Sequence, residues 1–106
     1  MSEPAQPSNI LARMAALAGI DQQSEHANLT ADTLRRARWA RDHNDHYPNG
    51  AWSTGEQLIV ALVLNNFAHL TDMDFEPDEA AKRVAGGMYF PPADIDTFIA
   101  DIRRQL

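Results

Sequence analysis

The sequence predicts an all-α fold, a small irregular bundle of four main helices plus a short N-terminal helix. Apolar residues recur at intervals of three and four along most of the chain, whereas no run of alternating apolar and polar residues indicates a strand. Glycine, proline and asparagine lie between these segments, where they end one helix and open the next. The chain has 106 residues, 44% of them hydrophobic, which is enough for one core. We therefore expect a disordered arm over residues 1–8 and one domain over residues 9–106.

The N-terminal part of the chain predicts two helices separated by a loop. Three apolar residues lie at helical spacing: Ile10, Met14 and Leu17. They predict a short helix over residues 10–18, and Gly19 is a typical residue after a helix end. The polar stretch over residues 21–28 is expected to be a loop. Thr30 is a good N-cap residue, so the next helix is predicted from Thr30 to about Asn44.

The middle of the chain predicts the central helix of the bundle. Ser53 and Glu56 match the capping-box pattern, in which each side chain accepts a hydrogen bond from an otherwise unpaired backbone N–H group. Residues 58–64 are apolar on every side, which predicts a helix that the others surround. Asn65 and His69 are four residues apart in the continuation of this helix. We expect them to mark the point where the central helix reaches solvent, the alternative being a polar pocket on the bundle axis.

The C-terminal third predicts two further helices and a linker between them. Pro77 follows Glu76 at a typical helix start, and a pair of glycines, Gly86 and Gly87, ends that helix. The linker over residues 88–92, Met-Tyr-Phe-Pro-Pro, is expected to fold over the core. The last helix has the most regular apolar stripe of the chain, formed by Ile95, Phe98, Ile99, Ile102 and Leu106.

The composition excludes several classes of function. Nine basic against fifteen acidic residues give a net charge of −6, which argues against a general nucleic-acid coat and against a binder of anionic membranes. The absence of cysteine excludes disulfide scaffolds, thiol nucleophiles and cysteine-ligated zinc. No apolar run is long enough to span a membrane and the N-terminus lacks signal-peptide features, so we expect a cytoplasmic protein. Arginine accounts for eight of the nine basic residues and alanine is abundant, which indicates a GC-rich bacterium or one of its phages as source.

Positive charge is concentrated on the second predicted helix. Residues 32–41 contain four arginines and one aspartate, a net charge of +3 that leaves −9 for the rest of the chain. At 100° per residue, Leu34, Ala37 and Ala40 face the core with Arg41 nearby, which places Trp39 outside the apolar stripe. The aromatic turn that follows extends this outer surface. The predicted partner-binding residues are Arg35, Arg38, Trp39, Asp42, His43, Tyr47 and Trp52.

This surface supports three interpretations. Tryptophan and arginine are the residue types most enriched at protein interfaces, so our first hypothesis is a small interaction or regulatory module that binds a protein partner or a second copy of itself. The alternative is a nucleic-acid-binding regulator, in which arginines contact phosphates and the indole stacks on an unpaired base. The third is purely structural: arginines cover the indole while Asp32–Arg36 and Arg38–Asp42 form ion pairs along the helix.

No motif predicts catalysis. Two histidines three residues apart on a helix can bind one metal ion, so His43, Asp45 and His46 are candidates for the site of a metal-dependent hydrolase. The zinc-protease pattern His-Glu-x-x-His is absent, and the chain has no phosphate-binding loop or paired carboxylates. We therefore expect neither an enzyme nor a cofactor.

Overall fold

The computed structural model describes Ile10, Arg13, Met14 and residues 17–106. The arm predicted over residues 1–8 lies outside the described residues, as do four positions of the helix predicted over residues 10–18. Within the described part the chain is all-α and has no strand, which confirms the predicted class. The helices are α1 (Gln22–His43), α2 (Thr54–Val63), α3 (Phe67–Asp72), α4 (Pro77–Gly86) and α5 (Ile95–Arg104). None of the helices in this part is both long and apolar enough to cross a membrane.

Helix α1 begins well before the residue that the sequence predicts. Asp21 is the N-cap: its carboxylate accepts the Ser24 N–H at 2.7 Å, and the Ser24 hydroxyl accepts the Asp21 N–H at 3.2 Å. The loop predicted over residues 21–28 and the N-cap predicted at Thr30 are therefore wrong. The polar stretch contains no glycine or proline to interrupt a helix, and the capping box gives it a stable beginning.

The polar side chains of this first part of α1 hold the linker over residues 88–92. The Glu25 carboxylate accepts the N–H groups of Tyr89 at 2.7 Å and of Phe90 at 2.8 Å. His26 Nε2 donates to the Phe90 carbonyl at 2.6 Å. Met88 is buried, so the linker packs onto the core as expected, while Tyr89 stays partly exposed.

Helix α2 is the centre of the fold, as predicted. Its residues 58–63 are all buried, and α2 contacts each of the other four described helices. The predicted capping box is present, with the Ser53 N–H donating to Glu56 Oε1 at 2.9 Å and the Glu56 N–H donating to Ser53 Oγ at 3.2 Å. Arg103 of α5 closes the other end of α2, because its guanidinium donates to the carbonyls of Leu62 at 2.8 Å and Val63 at 3.0 Å.

The central helix ends before Asn65 and His69. Contrary to the prediction, these two residues therefore do not lie on one face of it. Asn65 has a φ of +54°, a left-handed conformation that asparagine tolerates and that ends the helix. The next residue, Asn66, is the N-cap of the short helix α3, where its side-chain oxygen accepts the His69 N–H at 3.1 Å. The polar residues after α2 therefore form a helix break, which the apolar pattern alone does not reveal.

The last two helices form as predicted. Helix α4 has Pro77 in its first turn and ends at Gly86, and α5 carries the apolar stripe that packs against α2. Asp94 is the N-cap of α5, and its hydrogen bonds from Thr97 hold the pKa of its carboxyl group below the usual value. At the other end of α5, the Gln105 carbonyl accepts a hydrogen bond from Arg38 of α1 at 3.0 Å.

Candidate functional site: an arginine–tryptophan cleft

An open cleft lies on the surface between α1 and the turn that precedes α2. It has a volume of about 390 Å³ and is lined by Arg35, Arg36, Trp39, Asn49 and Trp52. We call it the Arg/Trp cleft. Helix α1 supplies both arginines and one indole ring, and the turn supplies the other ring. Three of the predicted partner-binding residues, Arg35, Trp39 and Trp52, are therefore brought together in one place.

The two tryptophans of the chain form a pair in this cleft. Their ring centroids are 5.4 Å apart and their planes are inclined at 61°, an edge-to-face arrangement that aromatic rings favour. Trp39 is 36% exposed, which agrees with its predicted position outside the apolar stripe, and Trp52 is half-buried against the core. Because the rings meet at an edge, they are not two parallel walls between which a flat group could be held.

The turn before α2 fixes the position of Trp52. The Asn49 side chain accepts the Ala51 N–H at 2.9 Å, and the Asn49 carbonyl accepts the Trp52 N–H at 3.1 Å. Gln57 of α2 donates to the Trp52 carbonyl at 2.9 Å. Ser53 is the N-cap of α2, so the ring is held between an asparagine turn and a helix cap.

Arg36 links α1, which carries Trp39, to α2, which follows Trp52 in the chain. Its guanidinium pairs with Asp32 on α1 and with Glu56 on α2, the latter at 2.8 Å, and it lies over the Trp52 ring at 5.6 Å from the centroid. Its side chain is only 20% exposed. The pKa of Glu56 is lowered, first by the hydrogen bond from the Ser53 N–H and in addition by the charge of Arg36. This side chain thus holds the closed side of the cleft.

Arg35 forms the open side of the cleft. It shares Asp32 with Arg36, but its side chain is 71% exposed. A guanidinium group has five N–H donors in a planar fork that matches a carboxylate. One ion pair with a shared aspartate leaves most of these donors available to a partner.

The remaining predicted site residues serve other contacts. Arg38 donates to the Gln105 carbonyl at the end of α5. Asp42 pairs with Arg41, whose Nε lies 2.8 Å from a carboxylate oxygen, and this contact lowers the pKa of Asp42. Tyr47 packs edge-on against the His69 ring at 5.9 Å instead of lining the cleft, and His43 is exposed at the end of α1.

Only one of the two ion pairs expected along α1 is present among these contacts. The Asp32–Arg36 pair forms, whereas the Arg38–Asp42 pair does not. Arg38 instead donates to a carbonyl at the end of α5, where the last carbonyls of the helix lack donors within it. Asp42 pairs with the neighbouring Arg41. Arg41 was expected near the core side of the helix, but it is exposed.

Two residues that line the cleft, Arg36 and Asn49, are not among the predicted partner-binding residues. Arg36 carries a readable signal, because Asp32, Arg36 and Trp39 lie at i, i+4 and i+7 on one face of a helix. Asn49 carries none, since its place depends on the path of the turn.

The three metal candidates do not converge. Within residues 17–106 and the three described residues before them, no group of three His, Asp or Glu side chains is placed to hold a metal ion. Helix α1 ends at His43, and Asp45 and His46 both have positive φ angles, 54° and 67°. The chain therefore leaves the helical path that would bring His43 and His46 onto one face.

Comparison with known proteins finds no match to a family model, to a curated protein or to a solved structure.

Proposed function

We propose that this protein is an interaction module that binds an acidic segment of a partner protein in the Arg/Trp cleft. One observation carries the proposal: Trp39 lies at the surface, supported edge-on by Trp52, beside the exposed guanidinium of Arg35. A rigid aromatic ring and a planar cation are the groups that contribute most to binding at protein interfaces once water is excluded.

The cleft's chemistry defines what the partner segment must offer. An apolar side chain of the partner would pack on the open face of Trp39, and an adjacent carboxylate would accept hydrogen bonds from Arg35. Arg36 is already paired with two carboxylates and lies over the Trp52 ring. It therefore supports this indole and is not the group that recognises the negative charge of the partner. A short segment with one apolar residue next to one or two acidic residues meets both requirements.

A second copy of the chain is a partner of this kind. The first turn of α4 exposes an acidic group, made up of Glu76, Asp78 and Glu79, and opposite charges on two surfaces of one molecule favour pairing between copies. Sedimentation of the wild-type chain measures this directly, and the Arg35→Glu substitution separates self-association through the cleft from any other contact.

Nucleic acid is the second candidate, and the geometry favours it less. The edge-to-face rings cannot hold a base between them, and both arginines are already paired with carboxylates: Asp32 pairs with both of them and Glu56 with Arg36. Each nucleotide adds a phosphate that these carboxylates repel. The nucleic-acid hypothesis predicts binding that weakens steeply with salt and that nuclease treatment removes.

Partner capture with matched variants tests the proposal. Tagged wild-type protein is used to capture partners from nuclease-treated extract, in parallel with Arg35→Glu, Trp39→Ala and the control Lys82→Glu. Lys82 is exposed on α4, outside the cleft, and its substitution makes the same change of charge. A partner that Arg35→Glu and Trp39→Ala both lose, while Lys82→Glu retains it, supports the proposal.

The proposal fails if captured partners and oligomeric state are the same for all four proteins while each remains folded by circular dichroism. It also fails if nuclease treatment removes all binding, because the ligand is then a nucleic acid.

A further inference from the structure

A second groove, which adjoins the Arg/Trp cleft at Arg36, lies between α1, the first half of α2 and the end of α4. Its volume is about 550 Å³. The bottom of the groove is apolar, formed by Leu29, Ile59, Val84 and Met88, three of which are almost fully buried. A groove of this size and composition fits the apolar face of a short helix.

The rim of the groove is acidic. Three carboxylates line it, Glu25, Asp32 and Glu56, against two guanidinium groups, Arg36 and Arg83. The net charge of the lining is therefore negative. The occupant that fits is an apolar helical face that carries a single positive charge.

The N-terminal segment of the chain has these properties. Ile10, Met14 and Leu17 have helical backbone and are 52%, 55% and 90% exposed. Their spacing of four and three residues places them on one face of a helix. Arg13 lies in the same segment and is also exposed. The chain thus presents an apolar helical face that the described residues leave uncovered.

The connection between the segment and α1 allows the two to lie side by side. Gly19 has a φ of +79°, the left-handed conformation that ends a helix, and only two residues separate it from α1. In an antiparallel helical hairpin with a short turn, residues equidistant from the turn face each other. Met14 then lies opposite Glu25 and Ile10 opposite Leu29, which are two of the residues of α1 that line the groove.

We propose that this groove is a helix-docking site and that its occupant is the chain's own N-terminal segment, with Ile10 and Met14 against the apolar floor and Arg13 at the acidic rim. The structure shows the undocked arrangement. The inference concerns a surface other than the Arg/Trp cleft and does not depend on the function proposed for that cleft.

Cross-linking tests the docked arrangement directly. Because the chain has no cysteine, a thiol-specific reagent reacts only with the two cysteines that are introduced. The test variant combines Met14→Cys with Thr54→Cys, at an exposed residue on the groove rim. The control combines Met14→Cys with Lys82→Cys, an exposed residue of α4 outside the groove. Both pairs are treated with a short bismaleimide at low protein concentration, and the products are identified by mass spectrometry.

Docking within one chain predicts an intramolecular product in the test pair at several times the yield of the control pair. Adding Ile10→Asp to the test pair is expected to reduce that yield to the control level. Equal yields in the two pairs, no product, or a product that joins two chains would each overturn the proposal. In the last case a second copy is the occupant of the groove.

Discussion

Arg36 provides a quantitative test of how the Arg/Trp cleft is held together. The change is Arg36→Met, which keeps the apolar stem of the side chain and removes the guanidinium from Asp32, Glu56 and the Trp52 ring. Two partly shielded ion pairs contribute about 0.5–1 kcal/mol each, and the contact with the ring about 0.5–1 kcal/mol. The expected loss is therefore roughly 1.5–3 kcal/mol of unfolding free energy, or about 10 °C in Tm for 2 kcal/mol in a domain of this size.

The assay is urea denaturation followed by circular dichroism and by tryptophan fluorescence. The matched control is Arg35→Met: Arg35 pairs with the same aspartate, but it is 71% exposed and this ion pair lies within α1. We expect this control to lose less than about 0.5 kcal/mol. A double-mutant cycle of Arg36→Met with Glu56→Gln, which retains the cap, should show a coupling of about 0.5–1 kcal/mol. If both arginine variants lose the same free energy, or the coupling is zero, Arg36 does not join α1 to α2 as described.

Three further predictions concern the contacts that place α1, the linker and α3. Glu25→Ala removes the acceptor of two backbone N–H groups of the linker and should cost about 2–3 kcal/mol, with faster amide exchange there; unchanged exchange would contradict the contact. Asp21→Ala removes the cap of α1 and should lower the free energy of unfolding, which Asp21→Asn should largely restore; an unchanged free energy would favour a later helix start. Burial lowers the pKa of His69 below its ordinary 6.5, so the folded chain binds this proton less tightly than the unfolded chain. The contribution of His69 to the free energy of unfolding should therefore be fully present above pH 6.5 and be lost as the pH falls from 6.5 toward the folded pKa. His69→Gln should flatten this pH dependence, and an equal slope in the variant would refute the assignment to His69.

Local signals explain which elements of the fold were predictable. The capping box of Ser53 and Glu56 depends only on residues three apart, so the start of α2 could be predicted from the sequence. The start of α1 could not, because its polar residues resemble a loop until Glu25 and His26 are seen to bind the linker more than 60 positions away. The break at Asn65 was hidden for a related reason, since one left-handed residue interrupts an apolar pattern without changing it.

In the candidate site, too, the features set by local geometry could be predicted, whereas those that depend on distant contacts could not. The position of Trp39 outside the apolar stripe follows from helical geometry alone. Its pairing with Trp52 depends on the path of the turn, which brings together residues thirteen positions apart. The assignment of Arg38 to the same surface could not be corrected from sequence, because its partner is a backbone carbonyl near the other end of the chain.

Accessibility of Trp39 with and without a partner tests the central claim most directly. In the variant Trp52→Phe, which keeps an aromatic ring beside Trp39, acrylamide quenching of fluorescence reports on Trp39 alone, since the chain has only two tryptophans. The converse variant, Trp39→Phe, reports on the half-buried Trp52 as a control. If the Arg/Trp cleft binds the partner, Trp39 is quenched readily in the free protein and is protected in the complex with a captured partner. Equal quenching of Trp39 in the free protein and in the complex would contradict the claim.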